Sequence, residues 1–158
     1  MNTLMYCSTQ EGYSASLKSG VISQELDGGA PRYRRGLKNG YHTVNVQWKV
    51  FDAGFQYLDA FYNVWCETPG QRFNASLRVN GPEFKPYECY FVEESFQLSS
   101  MQGPVYTVTA QLRVKPIVDS ELNHIIVETG NGNQDLASIV NPLEELVNED
   151  LPNAMEDI

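Results

Sequence analysis

Residues 41–67 read YHTVNVQWKVFDAGFQYLDAFYNVWCE, and the hydrophobic period changes inside that stretch. From Tyr41 to Val50, the residues Val44, Val46, Trp48 and Val50 alternate with Thr43, Asn45, Gln47 and Lys49. Period two with β-favouring side chains predicts a half-buried strand. Beyond it, Phe55, Leu58, Phe61, Tyr62 and Trp65 recur at spacings of three and four, the apolar stripe of an amphipathic helix. Asp52 is the expected cap, and Gly54 costs about 1 kcal/mol against alanine. Thr68-Pro69-Gly70 ends the helix. A helix with Phe, Phe, Tyr and Trp along one side must pack on a sheet or on another subunit.

On the N-terminal side, Met1 to Gln10 reads as a strand or an extended lead-in. Tyr13, Ala15 and Leu17 alternate with Ser14, Ser16 and Lys18, a half-buried strand signal, which Val21, Ile22 and Leu26 continue after a break at Gly20. Asp27-Gly28-Gly29-Ala30-Pro31 is a turn or loop, and Asn39-Gly40 suits a tight hairpin turn. On the C-terminal side, Phe73, Ala75, Leu77 and Val79 alternate, then Asn80-Gly81-Pro82 turns the chain. Tyr87 to Leu98 alternates again, with a bulge or bend expected at Glu93-Glu94-Ser95. Met101-Gln102-Gly103-Pro104 is a turn, and Tyr106 to Val114 a last strand stopped by Pro116. This order predicts an α+β body over residues 1–116: a mainly antiparallel β-sandwich with one amphipathic helix.

Charge divides the chain of 158 residues unevenly. The body holds ten acids and all eleven bases, whereas residues 117–158 hold ten acids and no lysine or arginine, so the net −9 is carried by the C-terminal segment. That segment is also rich in Ile, Leu and Val, which disordered tails usually lack. It is expected to be an extended, acidic and apolar C-terminal arm that buries its apolar side chains against something. Glu121 to Thr129 reads as a short strand, Gly130-Asn131-Gly132-Asn133 as a joint, and Asn141-Pro142 as the start of a short helix.

Composition narrows the function. No stretch approaches the ~20 apolar residues that span a bilayer, so no membrane partner is expected. The N-terminus lacks the charge and apolar run of a secretory signal. A pI near 4.6 argues against sequence-specific or general nucleic-acid binding. Cys7, Cys66 and Cys89 fit neither a disulfide framework nor a zinc pattern, and are expected to be buried thiols. His42 and His124 have no ligand or nucleophile at useful spacing and read as ordinary surface or edge residues. Neighbouring acids such as Glu93-Glu94 point to opposite faces of a strand. The glycine pairs fit no phosphate-binding motif. The chain is therefore expected to have no catalytic residues, no cofactor and no metal site.

The body resembles a known group. Gly28-Gly29 precedes an arginine-rich segment ending at Arg35, then come TVNVQWKV (43–50), FQYLDAFYNVW (55–65), GQRFNASL (70–77) and GPVYTVTAQLRV (103–114). This order, over about residues 20–116, is similar to small tail proteins of tailed bacteriophages, of the minor tail, ring or adaptor type. The resemblance implies a non-enzymatic virion component, assembled in the host cytoplasm and present in several copies as a ring or collar. Its partners would be further copies of itself and other tail proteins. A ring needs head-to-tail contacts, which an arm laid across the next subunit provides.

The candidate subunit interface follows from charge and apolarity. Arg32, Arg34 and Arg35 are the basic cluster, read either as a solvated loop or as a dock for a neighbour's acids. Ile125, Ile126 and Val127 are candidate apolar contacts, with Leu136, Ile139, Leu143, Leu146 and Leu151 further along the arm. Two rival functions remain: an assembly or tail-completion factor absent from the finished particle, and a small carbohydrate-binding or hydrolytic module using an aromatic surface around Tyr87, Tyr90 and Tyr106.

Overall fold

The computed structural model describes residues 1–25, 27–36 and 40–131. The chain divides after Ile117, and each part is described by itself. In the first, the strands are β1 (Ser14–Ser16), β2 (Val21–Gln24), β3 (Arg32–Arg35), β4 (His42–Val50), β5 (Phe73–Leu77), β6 (Lys85–Phe91), β7 (Gln97–Gln102) and β8 (Val105–Val114); α1 (Asp52–Glu67) follows β4. A six-stranded sheet runs in the order β1-β4-β8-β6-β5, with β7 also paired to β8, while β2 and β3 form a separate two-stranded sheet. Every strand pairing is antiparallel. The architecture is α+β and mostly antiparallel sheet, as expected, with a second helix.

The strand and helix of residues 41–67 form the centre of this body. Val44, Val46, Trp48 and Val50 are buried, while their alternate neighbours are half-buried or exposed. Directly opposite on β8 lie Leu112, Ala110, Val108 and Tyr106, and α1 covers this face. Leu58 and Gly54 are the buried residues of the helix, and Phe55, Phe61, Tyr62 and Trp65 pack against the core from its flank. Fully burying one such aliphatic or aromatic side chain contributes about 1.5–3 kcal/mol, so this layer holds the body together. Trp48 Nε1 is buried with no hydrogen-bond partner among the described residues.

Gly54 has a packing role as well as a propensity cost. A Cβ there would lie 2.8 Å from Val50 Cβ and 3.2 Å from the Tyr6 hydroxyl, so the missing side chain lets α1 approach the end of β4. Asp52 is not the cap. Phe51 occupies that position without a side-chain bond, and Asp52, the first helical residue, instead acts on the Tyr106 hydroxyl, whose pKa it raises by hydrogen bonding.

The break expected at Glu93-Glu94-Ser95 is a bend: Glu93 and Glu94 form a turn between β6 and β7, closed by Ser95 N–H on the Val92 carbonyl at 3.3 Å. Phe91 pairs with Leu112 and Gln97 with Thr109, so β6 and β7 lie along one edge of β8, interrupted by extra residues. Ser95 Oγ bridges the gap, donating to the Val92 carbonyl at 2.6 Å and accepting from Gln111 N–H at 3.1 Å. Glu94 adopts φ 56°. The Gly103-Pro104 turn joins β7 to β8, Gly103 supplying φ 61°, as a mirror-image hairpin turn requires.

Other expectations need correction. The segment around Tyr13 to Leu17 is a strand of three residues, all exposed, because it is the short edge strand of the sheet, paired to β4 at Thr43–Asn45. Val21 and Ile22 do not continue it; Gly20, at φ 65°, turns them into the separate hairpin, and Leu26 lies outside the described residues. Arg32 to Arg35 form a strand, not a loop. In the second part, residues 121–129 are helical: α2 spans Ser120–Asn131. The strand expected over Glu121 to Thr129 does not form, and Asp119 Oδ1 accepts the Leu122 N–H at 3.1 Å. That is an N-cap, which a strand cannot use.

Candidate functional site

The β2–β3 hairpin is built to project. Its eight strand residues are all exposed, and the turn between them contains Gly28 at φ 83°. At its base, Gly36 N–H donates to the Gly20 carbonyl at 2.7 Å. A Cβ on Gly36 would meet that oxygen and Ile22 at 2.9 Å, so the close crossing of the two strand ends depends on glycine. Register pairs Ile22 with Arg34 and Gln24 with Arg32 on one face, and Val21 with Arg35 and Ser23 with Tyr33 on the other. The arginine cluster is thus divided. Arg32 and Arg34 share a face; Arg35 lies on the opposite one with Tyr33. Each face carries apolar and cationic groups together, and Val21, Ile22 and Tyr33 are 53%, 44% and 68% exposed.

Between this hairpin and the six-stranded sheet lies a cleft of about 750 Å³. Its sheet wall is a cross-strand row: Thr43 on β4 opposes Arg113 on β8, which opposes Tyr90 on β6. Tyr41 packs on Tyr90 with ring centroids 5.1 Å apart. Partial burial, then the Tyr41 hydroxyl, raises the Tyr90 pKa, so the phenol stays protonated. Lys18, Val21 and Ile22 line the other side. Among the described residues, Lys18, Arg32, Arg34, Arg35 and Arg113 belong to no ion pair, whereas Arg72 and Lys115 both contact Glu88, at 3.1 and 3.5 Å, and Lys49 bonds Glu11. This end of the body is cationic, aromatic and partly apolar.

Residues singled out by sequence fall in different places. On α2, Ile125 and Val127 are exposed and Ile126 is half-buried. Leu136, Ile139, Leu143, Leu146 and Leu151 lie outside the described residues, as do Asn39 and the Asn141-Pro142 helix start. Arg113, Tyr41 and Lys18 were missed, since strand register places Arg113 and tertiary packing brings Tyr41 and Lys18 to the same cleft. Tyr87, Tyr90 and Tyr106 do not form one surface. Tyr87 is buried and its hydroxyl accepts Asn80 N–H at 3.1 Å, Tyr90 faces the cleft, and Tyr106 stacks on Phe55 of α1.

The remaining chemically active groups are scattered. His42 is buried, not a surface residue: its Nδ1 accepts Lys18 N–H at 3.1 Å, and burial lowers its pKa. Cys89 is buried, and desolvation pushes its thiol up to about 12. Cys7 and Cys66 are exposed, contrary to expectation, because they lie on the N-terminal lead-in and on the outer side of the last helical turn. No group of three potential metal ligands occurs among the described residues, and no helix among them is long and apolar enough to cross a membrane. No protein-family model and no curated protein matches the chain.

Proposed function

We propose that this protein is a non-enzymatic structural subunit of a bacteriophage tail, forming a ring, collar or adaptor through contacts between copies and with other tail proteins in the virion. The observation that carries this reading is the β2–β3 hairpin. An isolated two-stranded sheet is marginal in water, yet among the described residues this one leaves three arginines and three large apolar side chains exposed. In the assembled state a neighbour's acidic, apolar segment 117–158 covers the hairpin and enters the cleft. The two sheets then become the layers of a small sandwich with that segment between them. Exposed ion pairs contribute only ~0.2–1 kcal/mol each, so the arginines orient the contact and apolar burial supplies most of the affinity.

The test is the mass of the purified full-length chain by light scattering, with negative-stain images. Rings or other closed oligomers are expected. Reversing the charges together (Arg32→Glu, Arg34→Glu, Arg35→Glu) is expected to dissociate them without unfolding the body, since all three side chains are exposed. A monomer at every concentration, or an oligomer indifferent to the reversal, would overturn the reading. Mass spectrometry of purified particles separates a virion subunit from an assembly factor.

A further inference from the structure

Strand β7 presents an unguarded edge. All six of its residues, Gln97 to Gln102, are exposed. Its backbone pairs with β8 on one side, and among the described residues no other segment bonds to it. Natural sheets blunt such edges with lysine, proline, inward charges, bulges or a covering element. The sequence QLSSMQ carries no charge and no proline, so a bulge is its one protection.

That bulge has a second effect. Residues three apart on a regular strand point to opposite faces, but the register shift between Leu98 and Ser100 adds a residue. Leu98 therefore opposes Val108, and Met101 opposes Tyr106, both on the face covered by α1. The two side chains stand on one face, 47% and 62% exposed. The strand now reads alike in both directions: glutamine, apolar, serine, serine, apolar, glutamine.

We propose that β7 is the seat of a twofold contact between two copies of this chain, in which Gln97–Gln102 pairs antiparallel with itself. An axis near Ser99 and Ser100 sets Leu98 against Met101 of the second copy, Met101 against its Leu98, and the glutamine amides against each other. The edge gains backbone hydrogen bonds, and the two apolar pairs become cross-strand neighbours on one face. Uncharged, like-with-like pairing fits a second copy of this chain better than a charged or strongly apolar partner. The contact is isologous, so it goes beyond the head-to-tail contact of the proposed ring and would join two rings, or two free subunits, back to back.

In this register Ser99 of one copy faces Ser100 of the other, so each serine lies diagonally across the axis from its own counterpart, at a spacing a disulfide spans, which gives a direct test. In full-length protein carrying Cys7→Ser and Cys66→Ser, Ser100→Cys is expected to form a disulfide-linked dimer under oxidised glutathione. Ser19→Cys, on the hairpin side, serves as the reference and is expected to stay unlinked. Adding Leu98→Lys and Met101→Lys is expected to lower the yield of linked dimer by about tenfold. In the wild-type chain, amides 97–102 are expected to exchange more slowly as concentration rises. If Ser100→Cys links no faster than Ser19→Cys, or linking persists after the lysine substitutions, the twofold contact is wrong. The arginine reversals leave β7 untouched, so failure here is distinguishable from failure of the ring.

Discussion

His42 begins the best strand in the chain, on the same side as Val44 and Val46. Its imidazole is held neutral by burial and by its role as acceptor from Lys18 N–H. Its folded pKa lies below the ordinary 6.5, so the unfolded chain takes up the proton first. Its contribution to stability is complete above pH 6.5 and is lost as pH falls from there through the folded pKa. Denaturation by urea at a series of pH values is expected to show lower stability below pH 6.5 than above it. His42→Asn keeps an acceptor near Nδ1 but cannot titrate, and is expected to flatten that slope. An unchanged slope would place the acid sensitivity elsewhere. The sequence offered a histidine with no partner at useful spacing, and the partner proves to be a backbone N–H 24 residues away.

At the scale of elements, α1 illustrates how local and tertiary preferences compete. Intrinsic propensity favours alanine over Gly54 by about 1 kcal/mol, and helix rules alone recommend the change. The close approach to Val50 and Tyr6 forbids it. Gly54→Ala is expected to destabilise the protein by roughly 1–3 kcal/mol through overpacking, and Tyr6→Phe, which removes the hydroxyl 3.2 Å from the added Cβ, is expected to relieve part of that cost in the double variant. Thermal or urea unfolding of the single and double variants decides it; a Gly54→Ala protein more stable than wild type would show that the helix has room. The same competition explains α2, where a capping aspartate prevailed over a β-branched run. It also explains the bend after β6, which Glu93-Glu94-Ser95 signalled because acids and serine suit a break in a ladder better than its interior.

At the scale of the molecule, charge asymmetry and exposed apolar surface act together. The body is near neutral with a cationic hairpin, and residues 117–158 carry the excess negative charge. In solution, ions screen exposed charges over about 8 Å at physiological salt. Association of the full-length chain is therefore expected to weaken several-fold as sodium chloride rises from about 0.05 to 0.5 M, but not to vanish, because apolar burial persists. Sedimentation at both salts measures this, and an association strengthened by salt would point to contacts that avoid the arginines. The alternation of 41–50, the three-and-four spacing of 55–65 and the alternation of 73–77 and 105–114 were legible in the sequence, because each is a periodicity within one element. That β2 and β3 leave the main sheet, that β6 and β7 share one edge of β8, and that Arg113, Tyr90 and Thr43 form a row required the tertiary structure. Those facts depend on which strands become neighbours, and pairing is chosen by the burial of whole faces against α1, a property of the assembled sheet that no single stretch of residues contains.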